Sequence, residues 1–107
     1  MQNQEITLDN TPIYSDFAED EDFAELIEFY VSTINDKKEE IRTLFQSGDL
    51  QELKIKAHQM KGSAGGYGFS DLSELGGELE QACRSEEIVI VAEKVAAILR
   101  YLDRISL

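Results

Sequence analysis

Residues 57–68 read AHQMKGSAGGYG and contain the single histidine of the chain, His58. Lys61 follows His58 by three positions and Gly62 by four, so in a helix both would lie beside the imidazole ring. One imidazole cannot form half of a histidine metal site, so chemistry here must use the ring alone, as a nucleophile or proton carrier near neutral pH. A cation and a glycine, which has no side chain, beside such a ring indicate a site for a transferable anion.

This stretch lies in the second of four predicted helices. The first helix is predicted from about Asp22, with Asp20 or Asp22 as its N-cap, to a C-terminal cap at Gly48. Asp49 is the predicted cap of the second helix, which the glycines at 65, 66 and 68 end. His58 is therefore expected well inside a helix.

The third helix is predicted to begin at Ser70 or Asp71 and the fourth at Ser85. The β-branched run at 88–91 has the look of a buried strand, but its apolar spacing continues for several helical turns and no second strand could pair with it, so it is predicted as helix. Four amphipathic helices with short connections predict an all-α fold, an antiparallel up-and-down four-helix bundle. The residues expected to face its core are Phe23, Leu26, Ile27, Tyr30, Val31, Ile34, Ile41, Leu44 and Phe45; Leu50, Leu53, Ala57, Met60, Ala64 and Tyr67; Leu72, Leu75, Leu79 and Ala82; and Ile88, Val91, Ala92, Val95, Ile98, Leu99, Leu102 and Ile105.

The polar N-terminal stretch contains the only proline, Pro12. Residues 1–19 are predicted to form a short arm or extra helix that packs Ile13, Tyr14 and Phe17 against one end of the bundle, and residues 20–107 to form the bundle itself.

Length and composition exclude several classes of protein. The 107 residues suffice for one domain and leave no room for an ATP-binding kinase domain. The net charge of -12 disfavours nucleic acids and anionic membranes as partners, because both are polyanions. Cys83 is the only cysteine, so no intramolecular disulfide can form. The sequence has neither a signal peptide nor an apolar run of about 18 residues, so a cytoplasmic protein is expected. We also expect it to be a monomer.

The stretch around His58 resembles the signature of the histidine-containing phosphotransfer (HPt) domain. The resemblance extends over more than twenty positions, and its departures are Met60, where leucine is common, and Gly76, where a cysteine or another small residue is often found. The matching residues are His58, Met60, Lys61, Gly62, Ser63, Ala64 and Gly68, followed by Leu72, Leu75, Leu79 and Glu80.

The HPt resemblance implies a phosphocarrier without kinase activity of its own. It implies that Nε2 of His58 accepts a phosphoryl group from an aspartyl phosphate of a receiver domain and passes it to another receiver. Response-regulator receiver domains and a hybrid sensor kinase are the implied partners. No cofactor or metal of the chain itself is implied, since the catalytic Mg²⁺ would belong to the receiver.

A helical wheel places His58 about 100° from the core direction, where solvent reaches it. Lys61 is expected to assist the phosphoryl group electrostatically, and Lys54 to lie on the same side. Gly62 and Gly65 are expected to keep the approach open, because glycine inside a helix costs about 0.5 to 1 kcal/mol and needs a reason. Four residues are predicted docking contacts for the receiver: Lys54, Gln59, Gly65 and Ile55, an apolar residue that faces outward.

Two other functions compete with phosphotransfer. One is a module that docks receivers or kinases without carrying phosphate, which the presence of His58, Lys61 and Gly62 together disfavours. The other is a small metal-dependent hydrolase or phosphatase, which the sequence disfavours because it has no Glu-x-x-His pair or comparable ligand spacing. Lys61 could also serve only as the ion-pair partner of Glu78 or Glu80.

Overall fold

The computed structural model describes residues 10–107, and this part of the chain is all-helical. A short 3₁₀ helix at Glu21–Phe23 leads into the helices. They are α1 (Ala24–Ser32), α2 (Ile34–Ser47), α3 (Leu50–Gly66), α4 (Ser70–Arg84) and α5 (Ile88–Arg104).

The predicted first helix is two helices, and the prediction of one continuous helix was wrong at Thr33. The Thr33 hydroxyl donates to the Tyr30 carbonyl at 2.7 Å, and the Thr33 amide donates to the same oxygen at 3.0 Å. Ser32 donates its hydroxyl to the Phe29 carbonyl. Hydroxyl groups that compete for backbone carbonyls interrupt the regular helical ladder, so α1 ends at Ser32 and α2 begins at Ile34. Ahead of α1, Asp20 rather than Asp22 is the cap, since its carboxylate accepts from the Asp22 amide.

The remaining helix starts agree with the sequence except at α5. Asp49 caps α3 by accepting from the Glu52 amide at 3.1 Å, and α4 begins at Ser70. Helix α5 begins at Ile88 and not at Ser85, because Glu86 takes a left-handed φ of 55° that no helix can continue through. The β-branched run at 88–91 is helical, as predicted.

The core lies between all the helices, and two residues predicted in it are exposed. Leu26 is 50% exposed on α1, and Ile88 is 57% exposed in the first turn of α5. Both lie near helix ends, where fewer neighbouring helices are available to cover a side chain. The buried cluster consists of Tyr30, Ile34, Ile41, Leu53, Ala57, Met60, Ala64, Phe69, Leu72, Leu79, Ala82, Cys83, Val91, Val95, Ile98 and Leu102.

The backbones of α3 and α4 approach each other closely at Gly76. A Cβ atom added there would lie 2.9 Å from the Lys61 amide nitrogen and 3.0 Å from the Ala57 carbonyl oxygen. Nearer the connecting turn, the Ser73 hydroxyl donates to the Lys61 carbonyl at 2.6 Å. Residues later in α4 therefore contact residues earlier in α3, which brings the C-terminal half of α4 beside His58.

The N-terminal arm is described only from residue 10, and the prediction for residues 1–9 lies outside the described part of the chain. The Ile13 amide donates to the Arg104 carbonyl at 2.8 Å, which ties the arm to the end of α5. Ser15, 5% exposed, donates its hydroxyl to the Tyr67 carbonyl at 2.6 Å, at the end of α3. Ile13 and Phe17 are partly buried as expected, whereas Tyr14 is 53% exposed.

Candidate functional site

His58 projects from the middle of α3 with its side chain 69% exposed. The inward face of the helix is formed by Leu53, Ala57 and Ala64, each with no measurable exposure. The imidazole is thus an exposed group on a well-packed helix.

The Nδ1 atom of His58 lies 3.1 Å from Oε2 of Glu80 on α4. A carboxylate can only accept a hydrogen bond, so this pairing requires the proton of the neutral ring to be on Nδ1. The lone pair of Nε2 is then free, on a side chain that is 69% exposed. In this tautomer Nε2 is the ring nitrogen whose lone pair is not protonated.

Three cationic or hydrogen-bonding side chains surround Glu80, whose own side chain is only 12% exposed. Besides His58, Arg84 contacts the same oxygen, Oε2, at 3.1 Å, and Lys61 Nζ lies 4.0 Å from Oε1. Burial raises the pKa of the Glu80 carboxyl, but the hydrogen bond from His58 and the positive charges around it outweigh burial and bring the pKa below its ordinary value of 4.5. Glu80 is accordingly an ionised acceptor at neutral pH.

The two glycines near His58 have different surroundings. A Cβ at Gly62 would meet no atom within 4 Å, so this position opens directly onto solvent. A Cβ at Gly65 would lie 3.5 Å from the Ser73 hydroxyl, an ordinary contact with α4. Gly62 leaves the more open approach of the two.

The predicted docking residues lie on different sides of α3. Lys54 lies on the α4 side, in a depression that Arg84 also lines, and Ile55 is 39% exposed. Gln59 lies on the α2 side instead, in a depression that it shares with Lys37 and Glu40. The structure therefore brings Lys54 and Lys61 to the α4 side of α3, where His58 meets Glu80, and places Gln59 away from them.

Comparison with protein-family models gives a match to the Hpt domain over residues 25–106, well over half of the chain. The chain belongs to the Hpt domain family. Hpt domains transfer phosphoryl groups through a histidine in phosphorelays, and they are phosphocarriers rather than kinases. No curated protein and no solved structure matches the chain.

Within residues 10–107 of this Hpt protein, no helix is long and apolar enough to cross a membrane. In the same range, no group of three or more His, Cys, Asp or Glu side chains is arranged to hold a metal ion.

Sequence reasoning missed the pairing of His58 with Glu80 and the presence of Arg84 beside them. Glu80 had a place in the Hpt signature and was considered only as a partner for Lys61. The short turn after α3 could have predicted this pairing. It folds α4 back along α3, so a residue of α3 contacts the residue of α4 that lies at a similar distance from the turn. Glu78, the other acid considered for Lys61, pairs with Lys94 at 3.1 Å instead.

The lowered pKa of Glu80 predicts a pH-dependent contribution to stability. A carboxyl whose pKa is lower in the folded than in the unfolded state stabilises the fold above the ordinary pKa of the unfolded chain, and this contribution is lost as pH falls through the lower pKa of the folded state. We expect wild type to unfold at a higher urea concentration than Glu80→Gln near neutral pH. The difference between their urea midpoints should disappear as the solution is acidified below about pH 4. Urea midpoints measured across this range test the expectation, with Glu74→Gln, an exposed site on α4, as the control. A gap that stays constant with pH would contradict it.

Proposed function

We propose that this Hpt protein carries a phosphoryl group on His58 between the receiver domains of a multistep phosphorelay. The observation that supports the proposal most directly is the hydrogen bond from His58 Nδ1 to Glu80, which leaves Nε2 as the free nitrogen of a ring that is 69% exposed. The short connections between helices support the antiparallel up-and-down bundle as part of the same proposal.

The proposed transfer is an in-line displacement at phosphorus. The Nε2 lone pair attacks the phosphorus of an aspartyl phosphate on a receiver, the N–P bond forms, and the P–O bond to aspartate breaks to release a carboxylate. The ring keeps its Nδ1 proton and becomes positively charged, and Glu80 stabilises that charge across 3.1 Å. In the second transfer an aspartate carboxylate attacks phosphorus and the neutral ring is restored, so no proton needs to leave.

Lys61 is the proposed electrostatic partner of the phosphoryl group. Its ammonium lies 4.0 Å from Glu80, at the limit of an ion pair, so it is free to turn toward a dianionic group on Nε2. The chain itself contributes the nucleophile, its carboxylate partner and this cation. Mg²⁺, in this proposal, is supplied by the receiver domain.

Receiver domains are the proposed partners because they supply the aspartyl phosphate that this chemistry needs. One would be the receiver of a hybrid sensor kinase and another that of a response regulator. They would approach over Gly62, with Lys54, Ile55 and Gly65 at the edge of the contact. We place Gln59 outside this contact, because it lies on the α2 side.

Phosphoryl transfer to the purified protein tests the proposed function. The protein is mixed with phosphorylated receiver domains from its own organism, and its intact mass is measured before and after mild acid. The expected result is an acid-labile gain of one phosphoryl group. If the folded protein takes no phosphoryl group from any of these receivers, the docking-module alternative is preferred.

A side chain at Gly62 is expected to slow this transfer without harming the fold. In Gly62→Leu the new side chain enters open space, so the protein should fold, but it would hold a receiver away from the ring and reduce the transfer rate roughly 10- to 100-fold. Gly66→Leu is the matched control, because Gly66 is also open and lies on the same helix. Equal rates in the two variants would contradict an approach over Gly62.

A further inference from the structure

Glu80 accepts from two donors on a single carboxylate oxygen. Oε2 lies 3.1 Å from His58 Nδ1 and 3.1 Å from Arg84 Nη2, whereas Lys61 Nζ lies 4.0 Å from the other oxygen, beyond hydrogen-bond distance. The cation that neutralises Glu80 at close range is therefore Arg84 and not Lys61.

We propose that Arg84 is a positioning residue for phosphotransfer at His58. It holds the Glu80 carboxylate against Nδ1 and compensates its charge, so that the Lys61 ammonium stays available to the phosphoryl group. This inference rests on the proposed function and assigns a separate task to each of the two cations.

Arg84 is itself held in place along the surface of α4. Its Nη1 donates to Gln81 Oε1 at 3.0 Å, while its Nη2 donates to Glu80. Gln81 in turn donates through Nε2 to the Ser85 hydroxyl at 3.0 Å. A planar guanidinium that already donates to two acceptors loses little conformational entropy when it orients a carboxylate. A lysine has a flexible stem and a single ammonium group, so it would orient the carboxylate less well.

Removal of Arg84 would change the partner of Glu80. The remaining cation is Lys61, whose stem already lies along Gly77 on α4, about a van der Waals distance from a Cβ built there. With Arg84 absent, the ammonium would close the gap to the carboxylate and compete with His58 for it. Lys61 would then be withdrawn from the phosphoryl group, and the tautomer of the His58 ring would be less firmly set.

The test compares Arg84→Gln with Arg42→Gln, an exposed arginine on α2. Both variants remove one positive charge, so they alter long-range attraction to a partner to a similar extent. We expect Arg84→Gln to slow phosphoryl transfer from a receiver by about 3- to 10-fold, because the hydrogen bond that it removes is charged but half-exposed to solvent. The transfer rate of Arg42→Gln should stay within about twofold of the wild-type rate. Arg84→Lys should recover only part of the loss.

The same substitution made in a Glu80→Gln variant distinguishes a positioning role of Arg84 from direct contact between Arg84 and the receiver. In Glu80→Gln there is no carboxylate charge to compensate, so adding Arg84→Gln should cause little further loss. A full additional loss in that background would show that Arg84 contacts the receiver itself, and would overturn the inference. Equal rates for Arg84→Gln and Arg42→Gln would overturn it as well.

The ¹⁵N chemical shifts of His58 give a readout that does not depend on transfer. Arg84→Gln should move the Nδ1 and Nε2 shifts toward those of a mixed tautomer, whereas Arg42→Gln should leave them unchanged. A wild-type protein that takes no phosphoryl group at all overturns the proposed function. A wild type that is phosphorylated normally, with unchanged rates and shifts in Arg84→Gln, overturns only the role of Arg84.

Discussion

Replacement of His58 by glutamine is expected to abolish the acid-labile gain of a phosphoryl group completely. Glutamine keeps a polar side chain of similar reach but has no nitrogen lone pair able to attack phosphorus, and the chain has no second imidazole to take over. The measurement is the intact mass of the variant after incubation with phosphorylated receiver, with and without acid treatment.

The fold of this variant should remain intact. His58 is largely exposed, and surface substitutions of this kind usually change the free energy of unfolding by no more than about 0.5 kcal/mol. Binding of the receiver, measured by titration calorimetry, should therefore survive while transfer is lost. Gln59→Ala, at the neighbouring position on the α2 side, is the matched control and should accept phosphate like wild type. Transfer that persists in His58→Gln would remove His58 as the acceptor.

Substitution of Gly76 by alanine is expected to destabilise the fold more than alanine at any other glycine of α3 or α4. The new Cβ would lie 2.9 Å from a backbone nitrogen and 3.0 Å from a backbone oxygen of α3, and backbone atoms cannot rotate aside as a side chain can. Overpacking of this kind costs about 1–3 kcal/mol, against a gain of about 0.5–1 kcal/mol from replacing a glycine inside a helix. The two helices would have to separate, so the net change should be destabilising. Urea unfolding followed by far-ultraviolet circular dichroism measures it.

Gly77→Ala provides the matched control one position along α4. There the nearest atom to an added Cβ is Lys61 Cδ at 3.5 Å, an ordinary van der Waals contact with a flexible stem. This variant should be neutral or more stable than wild type by up to about 1 kcal/mol, through helix propensity alone. If Gly76→Ala proved as stable as Gly77→Ala, the close approach of α3 and α4 at Gly76 would be wrong. Because His58 and Glu80 lie on opposite sides of that approach, Gly76→Ala should also slow phosphotransfer.

The sequence predicted the parts of the fold that local spacing controls. The cap at Asp49, the start of α4 at Ser70 and the inward face of α3 follow from residues within a few positions of one another. The break at Thr33 was missed, because the apolar spacing continues across it while two hydroxyl groups redirect the backbone hydrogen bonds. The start of α5 was missed because a non-glycine residue, Glu86, takes the left-handed conformation that ends the preceding turn.

Within the candidate site, His58 was accessible to sequence reasoning because it is the only imidazole of the chain. Lys61 and Gly62 were accessible because both lie within one helical turn of it. The role of each of these residues in phosphotransfer stays a prediction until it is tested. The pairing of His58 with Glu80 and Arg84 was missed, because both lie on the next helix and Glu80 was considered only as a partner for Lys61.

The sequence by itself determined which ring could carry a phosphoryl group and which side of its helix that ring would occupy, since both depend only on composition and on the helical period. The tertiary structure decided which nitrogen of the His58 ring is free, which carboxylate accepts from the other nitrogen and which cation pairs with that carboxylate. Those depend on the register between α3 and α4, which Gly76 permits through close backbone contact. A register between helices is an outcome of packing over the whole interface, and no short stretch of sequence contains it.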